Sequence, residues 1–116
     1  MKGITVSKHR AAVQKALNMI EARVQDPPSL GELASLSGLG RTYFPFVFKE
    51  VTGMSLRDYF TQTRINKAKD LLNDSDLRIK QIAYKVGFRT DYFCKLFKKK
   101  TGVNPTKWRK VRSQKS

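Results

Sequence analysis

The sequence predicts an all-α chain in which two helix-turn-helix subdomains are joined by a long linker helix. Three observations predict it. Sliding the 116 residues against themselves by 49 positions aligns Leu33-Ala34 with Ile82-Ala83, Gly38-Leu39 with Gly87-Phe88, and Tyr43-Phe44 with Tyr92-Phe93. Phe48-Lys49 meets Phe97-Lys98, Thr52-Gly53 meets Thr101-Gly102, and Tyr59 meets Trp108 at the same offset, so the chain holds two copies of one supersecondary unit. Apolar residues recur at three- and four-residue intervals, the spacing of a helix buried on one face. Capping residues and glycines punctuate those runs at helix length.

The elements follow in order. Residues 1–9 read as a disordered N-terminal arm, and 10–54 as the first helix-turn-helix subdomain. Its first helix rests on Val13, Leu17, Ile20 and Val24. After Pro27-Pro28, Ser29 and Glu32 form a Ser-x-x-Glu capping box, so a second helix begins near Leu30 and stops at Gly38. The third carries Phe44, Val47, Phe48 and Val51, an i, i+3, i+4, i+7 stripe. Pro45 sits uneasily there, because proline lacks an N–H and disturbs a helix that already has a full turn before it. The expectation is either a late start, with Thr42 as N-cap and Pro45 at the third helical position where no donor is needed, or a distorted first turn.

The linker, 55–73, opens on Ser55 and Asp58, a second capping box, and carries Leu56, Tyr59, Phe60, Ile65, Ala68, Leu71 and Leu72 as its stripe. Eighteen residues at roughly 1.5 Å each make a rod of about 27 Å, close to one duplex turn of roughly 34 Å. The second subdomain, 74–112, repeats the pattern, with Asp76 as expected cap, Gly87 as stop, and Phe93, Leu96 and Phe97 as the buried stripe. Asn104-Pro105 opens a last short helix through Trp108, with proline at the first helical position. The end, 113–116, reads as a disordered tail.

The chain carries 24 Lys and Arg against 9 Asp and Glu, a net charge of +15, which favours a polyanionic partner. Residues 1–50 hold seven basic against four acidic side chains; residues 51–116 hold seventeen against five. The polyanion is therefore expected to lean on the second half. Cys94 is the only cysteine and His9 the only histidine, so neither an internal disulfide nor a metal cluster is expected, and a reducing cytoplasm fits. No apolar run reaches the roughly 18 residues of a membrane span, and the start lacks the apolar core of a signal peptide. The expectations are a cytoplasmic protein with no membrane partner, no cofactor and no small-molecule ligand.

The stretches "IAYKVGF" at 82–88 and "YFCKLFKKKTGVNPTKWR" at 92–109, with "LASLSGL" and "FKEVTGMS" in the first copy, resemble the DNA-binding domain of the AraC/XylS family of bacterial transcription regulators. The resemblance runs from about residue 10 to 112. It implies seven helices, binding of promoter DNA, and the absence of the usual sensor domain here, the chain being either a fragment of a larger regulator or a short stand-alone member. Relative to that family, the turn "RTD" before Tyr92 is one residue short, which implies a reading helix whose start is shifted.

On each reading helix, 3.6 residues per turn fixes the outward face. Around Phe93 the outward set is Asp91, Cys94, Lys95 and Lys98, which matches the family's reading positions. Lys95 can donate to guanine O6 or N7 and Asp91 can accept from cytosine N4, while Lys98, Lys99 and Arg89 suit phosphates. Around Phe44 the outward set is Thr42, Pro45, Phe46 and Lys49, where the family commonly places polar or arginine side chains. Phe46 cannot hydrogen-bond a base edge; it can pack on a thymine methyl, or the first copy can clamp backbone or contact protein. Arg41 and Thr90 complete the candidate set. Arg109 or Lys110 is a further candidate for DNA backbone. For any single lysine the competing reading is a solvated charged face, and Cys94 reads as a small outward residue near a phosphate rather than a redox switch.

The leading function is therefore sequence-specific binding of double-stranded promoter DNA for control of transcription, across two successive major grooves on one face. The competing class is a protein-interaction module that docks on RNA polymerase or a regulatory partner through exposed Phe46. RNA binding is disfavoured because sequence-specific RNA modules usually expose aromatics on a sheet, and an enzyme because no acid/base pair, phosphate loop or activated nucleophile is present.

Overall fold

The computed structural model describes the backbone of residues 2–115 and the side chains of residues 9–111. Residues 2–9 and 113–115, expected as a disordered arm and tail, are helical in backbone, and the side chains of 1–8 and 112–116 lie outside the described residues. Among those described there are seven helices and no strand: α1 (Lys2–Ala22), α2 (Leu30–Ser37), α3 (Tyr43–Thr52), α4 (Leu56–Asp74), α5 (Ile79–Lys85), α6 (Thr90–Thr101) and α7 (Pro105–Lys115). The chain divides into two units, Met1–Gln62 and Thr63–Ser116. The division falls inside α4.

The first unit packs α1, α2 and α3 around Val13, Ala16, Ile20, Leu33, Ala34, Phe44, Val47 and Phe48, with Leu56, Tyr59 and Phe60 of α4 against that cluster. Its helix entry is the expected one. Ser29 Oγ accepts from the Glu32 N–H at 3.1 Å, and Glu32 Oε2 accepts from the Ser29 N–H at 3.2 Å. The same carboxylate takes Arg23 Nη1 at 2.9 Å, so the box also fastens the end of α1. α3 starts late: Tyr43 is its first residue, Thr42 holds the N-cap position without a hydroxyl bond, and Pro45 is third. Its missing donor removes nothing there, because the first four N–H groups of a helix lack intrahelical partners.

The second unit repeats the first in detail. Phe44 and Phe48 lie 5.8 Å apart between ring centroids, and Phe93 and Phe97 lie 5.7 Å apart. Tyr59 stands edge-on to Phe48 at 5.5 Å, and Trp108 edge-on to Phe97 at 5.6 Å. Thr52 Oγ1 donates to the Phe48 carbonyl at 2.8 Å and Thr101 Oγ1 to the Phe97 carbonyl at 2.8 Å. The same hydroxyls accept from the Met54 and Val103 N–H groups at 3.1 and 3.3 Å, and each helix ends at the glycine that follows its threonine, Gly53 with φ 80° and Gly102 with φ 91°, a conformation that only glycine adopts at no steric cost. On the half of α4 that belongs to this unit, Ile65, Ala68 and Leu72 are buried.

Two expectations are corrected here. Asp76 does not cap α5; the helix starts at Ile79, two residues further on, and the Arg78 N–H is held by Gln81 Oε1 at 2.9 Å. Glutamine three residues into the helix supplies the return half of a capping box by itself. The first helix also buries Ala16, which the apolar spacing did not single out, and ends before Val24. At the entry to α7 the reading holds: Asn104 Oδ1 accepts from the Lys107 N–H at 2.8 Å.

Candidate nucleic-acid interface

Each unit presents the second helix of its helix-turn-helix, α3 or α6, with a buried stripe that fixes what faces outward. In α6, Phe93 and Phe97 are buried, and this anchors Asp91, Lys95 and Lys98 at i, i+4, i+7 on the exposed side. Lys99 follows Lys95 by four on the adjoining row. Arg89 holds the N-cap position and Thr90 is the first helical residue; both are exposed. α6 starts two positions earlier than α3 does in repeat register. Without a proline in its first turn, α6 includes Thr90 and Asp91, whereas the equivalent Arg41 and Thr42 stay in the turn before α3.

In the first unit, Thr42, Phe46 and Lys49 form the same i, i+4, i+7 row, all exposed. Lys95 and Phe46 are repeat-equivalent. The position at which α6 carries an ammonium therefore carries a phenyl ring in α3. Arg41 is exposed, yet its guanidinium lies against α2: a Cβ added to Gly31 would meet Arg41 Nη2 at 2.8 Å. It thus stands apart from the α3 row. The structure brings three candidates together in the first unit, with Arg41 set apart, and six in the second.

The repeat-equivalent Pro45 and Cys94 are half-buried rather than outward. One residue is 100° of helix, which places both on the border of the core face. Burial, and then the carboxylate of Asp91, push the Cys94 thiol up from its usual range. A thiol held protonated is a weak nucleophile, in line with a small packing residue.

Several charges do work besides any contact with a ligand. Lys98, Lys99 and Lys100 occupy the last turn of α6, where cations offset the helix dipole. Arg109 is not a surface cation. Its Nε donates to the Leu72 carbonyl at 3.1 Å, Nη1 to Leu77 at 2.7 Å and Nη2 to Ser75 at 3.2 Å, so the whole guanidinium is engaged with main chain. Arg64 is half-buried, with its guanidinium carbon 5.0 Å from the Phe88 ring centroid, and burial lowers its pKa. Phe88 in turn meets Tyr92 at 5.6 Å and Phe93 at 6.4 Å, so this cation–π contact braces the turn that launches α6.

Sequence reasoning missed the tyrosines beside the core phenylalanines. Tyr43 is 42% exposed and Tyr92 53% exposed. Tyr43 stacks on Phe46 at 6.0 Å, and His9 stands edge-on to Tyr43 at 5.9 Å. The signal was present: both tyrosines precede a core phenylalanine and align at the repeat offset.

A family model for a helix-turn-helix domain matches residues 33–111. Regulatory protein PocR of Salmonella typhimurium is 35% identical over 102 residues, which cover 87% of this chain and 34% of that protein. The solved C-terminal domain of AraT, a response regulator from Geobacillus stearothermophilus, is 31% identical with a TM-score of 0.78, covering 87% of this chain and 85% of that one. A transcriptional regulator from Chromobacterium violaceum, described as of the AraC-type DNA-binding class, superposes with a TM-score of 0.86 at 24% identity over 95% and 99% of the two chains. The chain spans between 16% and 38% of the length of the curated relatives it matches.

Proposed function

The chain belongs to the AraC-type helix-turn-helix family of DNA-binding transcription regulators, and from that premise we propose that it reads promoter DNA with both units. α3 and α6 enter successive major grooves on one face of the duplex, and α4 is the rod that couples them. Bases are contacted by Asp91 and Lys95 from α6 and by Thr42 and Phe46 from α3. Phosphates are contacted by Arg89, Thr90, Lys98 and Lys99 in the second unit, and by Arg41 and Lys49 in the first.

The observation that carries this reading is the duplication of one exposed row. Thr42, Phe46, Lys49 and Asp91, Lys95, Lys98 occupy equivalent positions on helices with equivalent cores. The rows match in position and share a lysine at the third place, Lys49 and Lys98, while the first two places differ in side chain, Thr42 against Asp91 and Phe46 against Lys95. The net charge of +15 supplies the sequence-independent attraction that such proteins use to find DNA. Members of the family act by binding rather than catalysis.

The test is a pair of titrations over salt, one with a random-sequence duplex and one with a duplex selected by the protein. Both affinities should fall steeply as salt rises, by roughly 0.9 log unit per log unit of salt for each phosphate contacted. The selected duplex should bind at least about 1,000-fold tighter at physiological salt. Equal affinities at every salt concentration would reduce the protein to a nonspecific polycation and overturn the reading.

A further inference from the structure

We propose that Tyr43 and Phe46 form a reader of thymine methyl groups, so that the two halves of the DNA site are recognised by different chemistries. This deepens the function proposed above and rests on it. Phe46 is 48% exposed and Tyr43 42% exposed, and the two rings stack at 6.0 Å with an interplanar angle of 23°. His9 closes the other side of Tyr43, edge-on at 5.9 Å. The three rings lie side by side as one aromatic ridge, and ring contacts of this kind lower the entropy lost when such a surface meets a partner.

Chemistry selects the partner. Phe46 has no donor or acceptor, and in the major groove the only apolar group that a base edge offers is the C5-methyl of thymine. Lys49, one turn further along α3 on the same row, is exposed and supplies the charge that a duplex backbone complements. The equivalent position of α6 carries Lys95, which suits guanine O6 or N7. One half-site is therefore methyl-rich and the other guanine-bearing. The asymmetry also sets the polarity of the protein on its site.

The experiment uses the unmodified chain and a duplex selected from a random library. In the half-site assigned to α3 every thymine is replaced by deoxyuridine, which removes the methyl and leaves the hydrogen-bonding edge unchanged. Affinity should fall about fourfold for each methyl buried against the rings, and deoxyuridine in the other half should have little effect. Phe46→Ala should bind the thymine and deoxyuridine duplexes equally; because Phe46 lies on the surface, this variant keeps its core. If the native chain binds both duplexes equally while retaining its preference for the selected sequence, the methyl-reading inference is wrong and the DNA-reading function stands. If no sequence is enriched, both fall, and the ridge is a contact for protein.

Discussion

Arg109 Nε lies 3.1 Å from the carbonyl oxygen of Leu72, 37 residues earlier in the chain. With the bonds to Ser75 and Leu77, it binds α7 to the C-terminal end of α4 and the loop that follows. Methionine fills similar volume but donates nothing, so Arg109→Met leaves three carbonyls without this partner and should cost about 3 kcal/mol. Urea unfolding should show the loss, with the salt dependence of DNA binding unchanged. A lower salt slope at unchanged stability would make Arg109 a phosphate contact instead.

Tyr59 is the corresponding fastening in the first unit. Its hydroxyl donates to Glu21 Oε1 at 2.9 Å. Burial, then the hydrogen bond and charge of Glu21, push its pKa up to about 12. The folded state thus favours the neutral phenol. That contribution is complete below the unfolded value of about 10 and is lost as pH rises from there through about 12. Tyr59→Phe should lower stability by about 1 kcal/mol at neutral pH and flatten the fall between pH 10 and 12, as followed by thermal unfolding against pH. An identical alkaline profile in the variant would refute the assignment.

Lys95, Lys98 and Lys99 should separate by what they lose. Lys95→Ala should cost about 1–3 kcal/mol and relax the preference at one base position. Lys98→Ala and Lys99→Ala should weaken all duplexes alike, each reducing the salt slope by about 1. Binding isotherms at several salt concentrations, against selected and scrambled duplexes, distinguish the two patterns. A uniform loss on Lys95→Ala would demote it to a backbone contact.

Ala68 is buried on α4. Ala68→Pro removes a main-chain donor and clashes with the preceding turn, at roughly 3 kcal/mol or more. Binding to a two-part site should drop toward that of one unit alone, measured by anisotropy on intact and half-site duplexes. Undiminished two-part binding would refute the coupling rod.

Much of the fold was legible because the duplication doubles every local signal. Phe48 with Tyr59 and Phe97 with Trp108 sit at one offset, so either pair predicts the other. The Ser29 and Asn104 caps were legible because their bonds close within three residues. Asp76 misled because a favoured cap residue stood near the right place, while Gln81 held the Arg78 N–H from inside the helix. The role of Arg109 was illegible for a physical reason: its partners are main-chain carbonyls, which every residue has, so no residue type marks them. Arg41 packed on Gly31 is similar, since a missing Cβ makes the room. At the candidate interface the outward rows followed from helical period, whereas the border positions Pro45 and Cys94 and the Tyr43–Phe46 stack depend on tertiary packing.

The measurement that tests the central claim most directly is selection of bound duplexes from a random library of about three helical turns at near-physiological salt, followed by sequencing. Two enriched blocks spaced by about one turn of duplex, one rich in thymine and one containing guanine, are the predicted result. A single enriched block, unaffected by Phe46→Ala, would contradict it and leave α6 as the only reader.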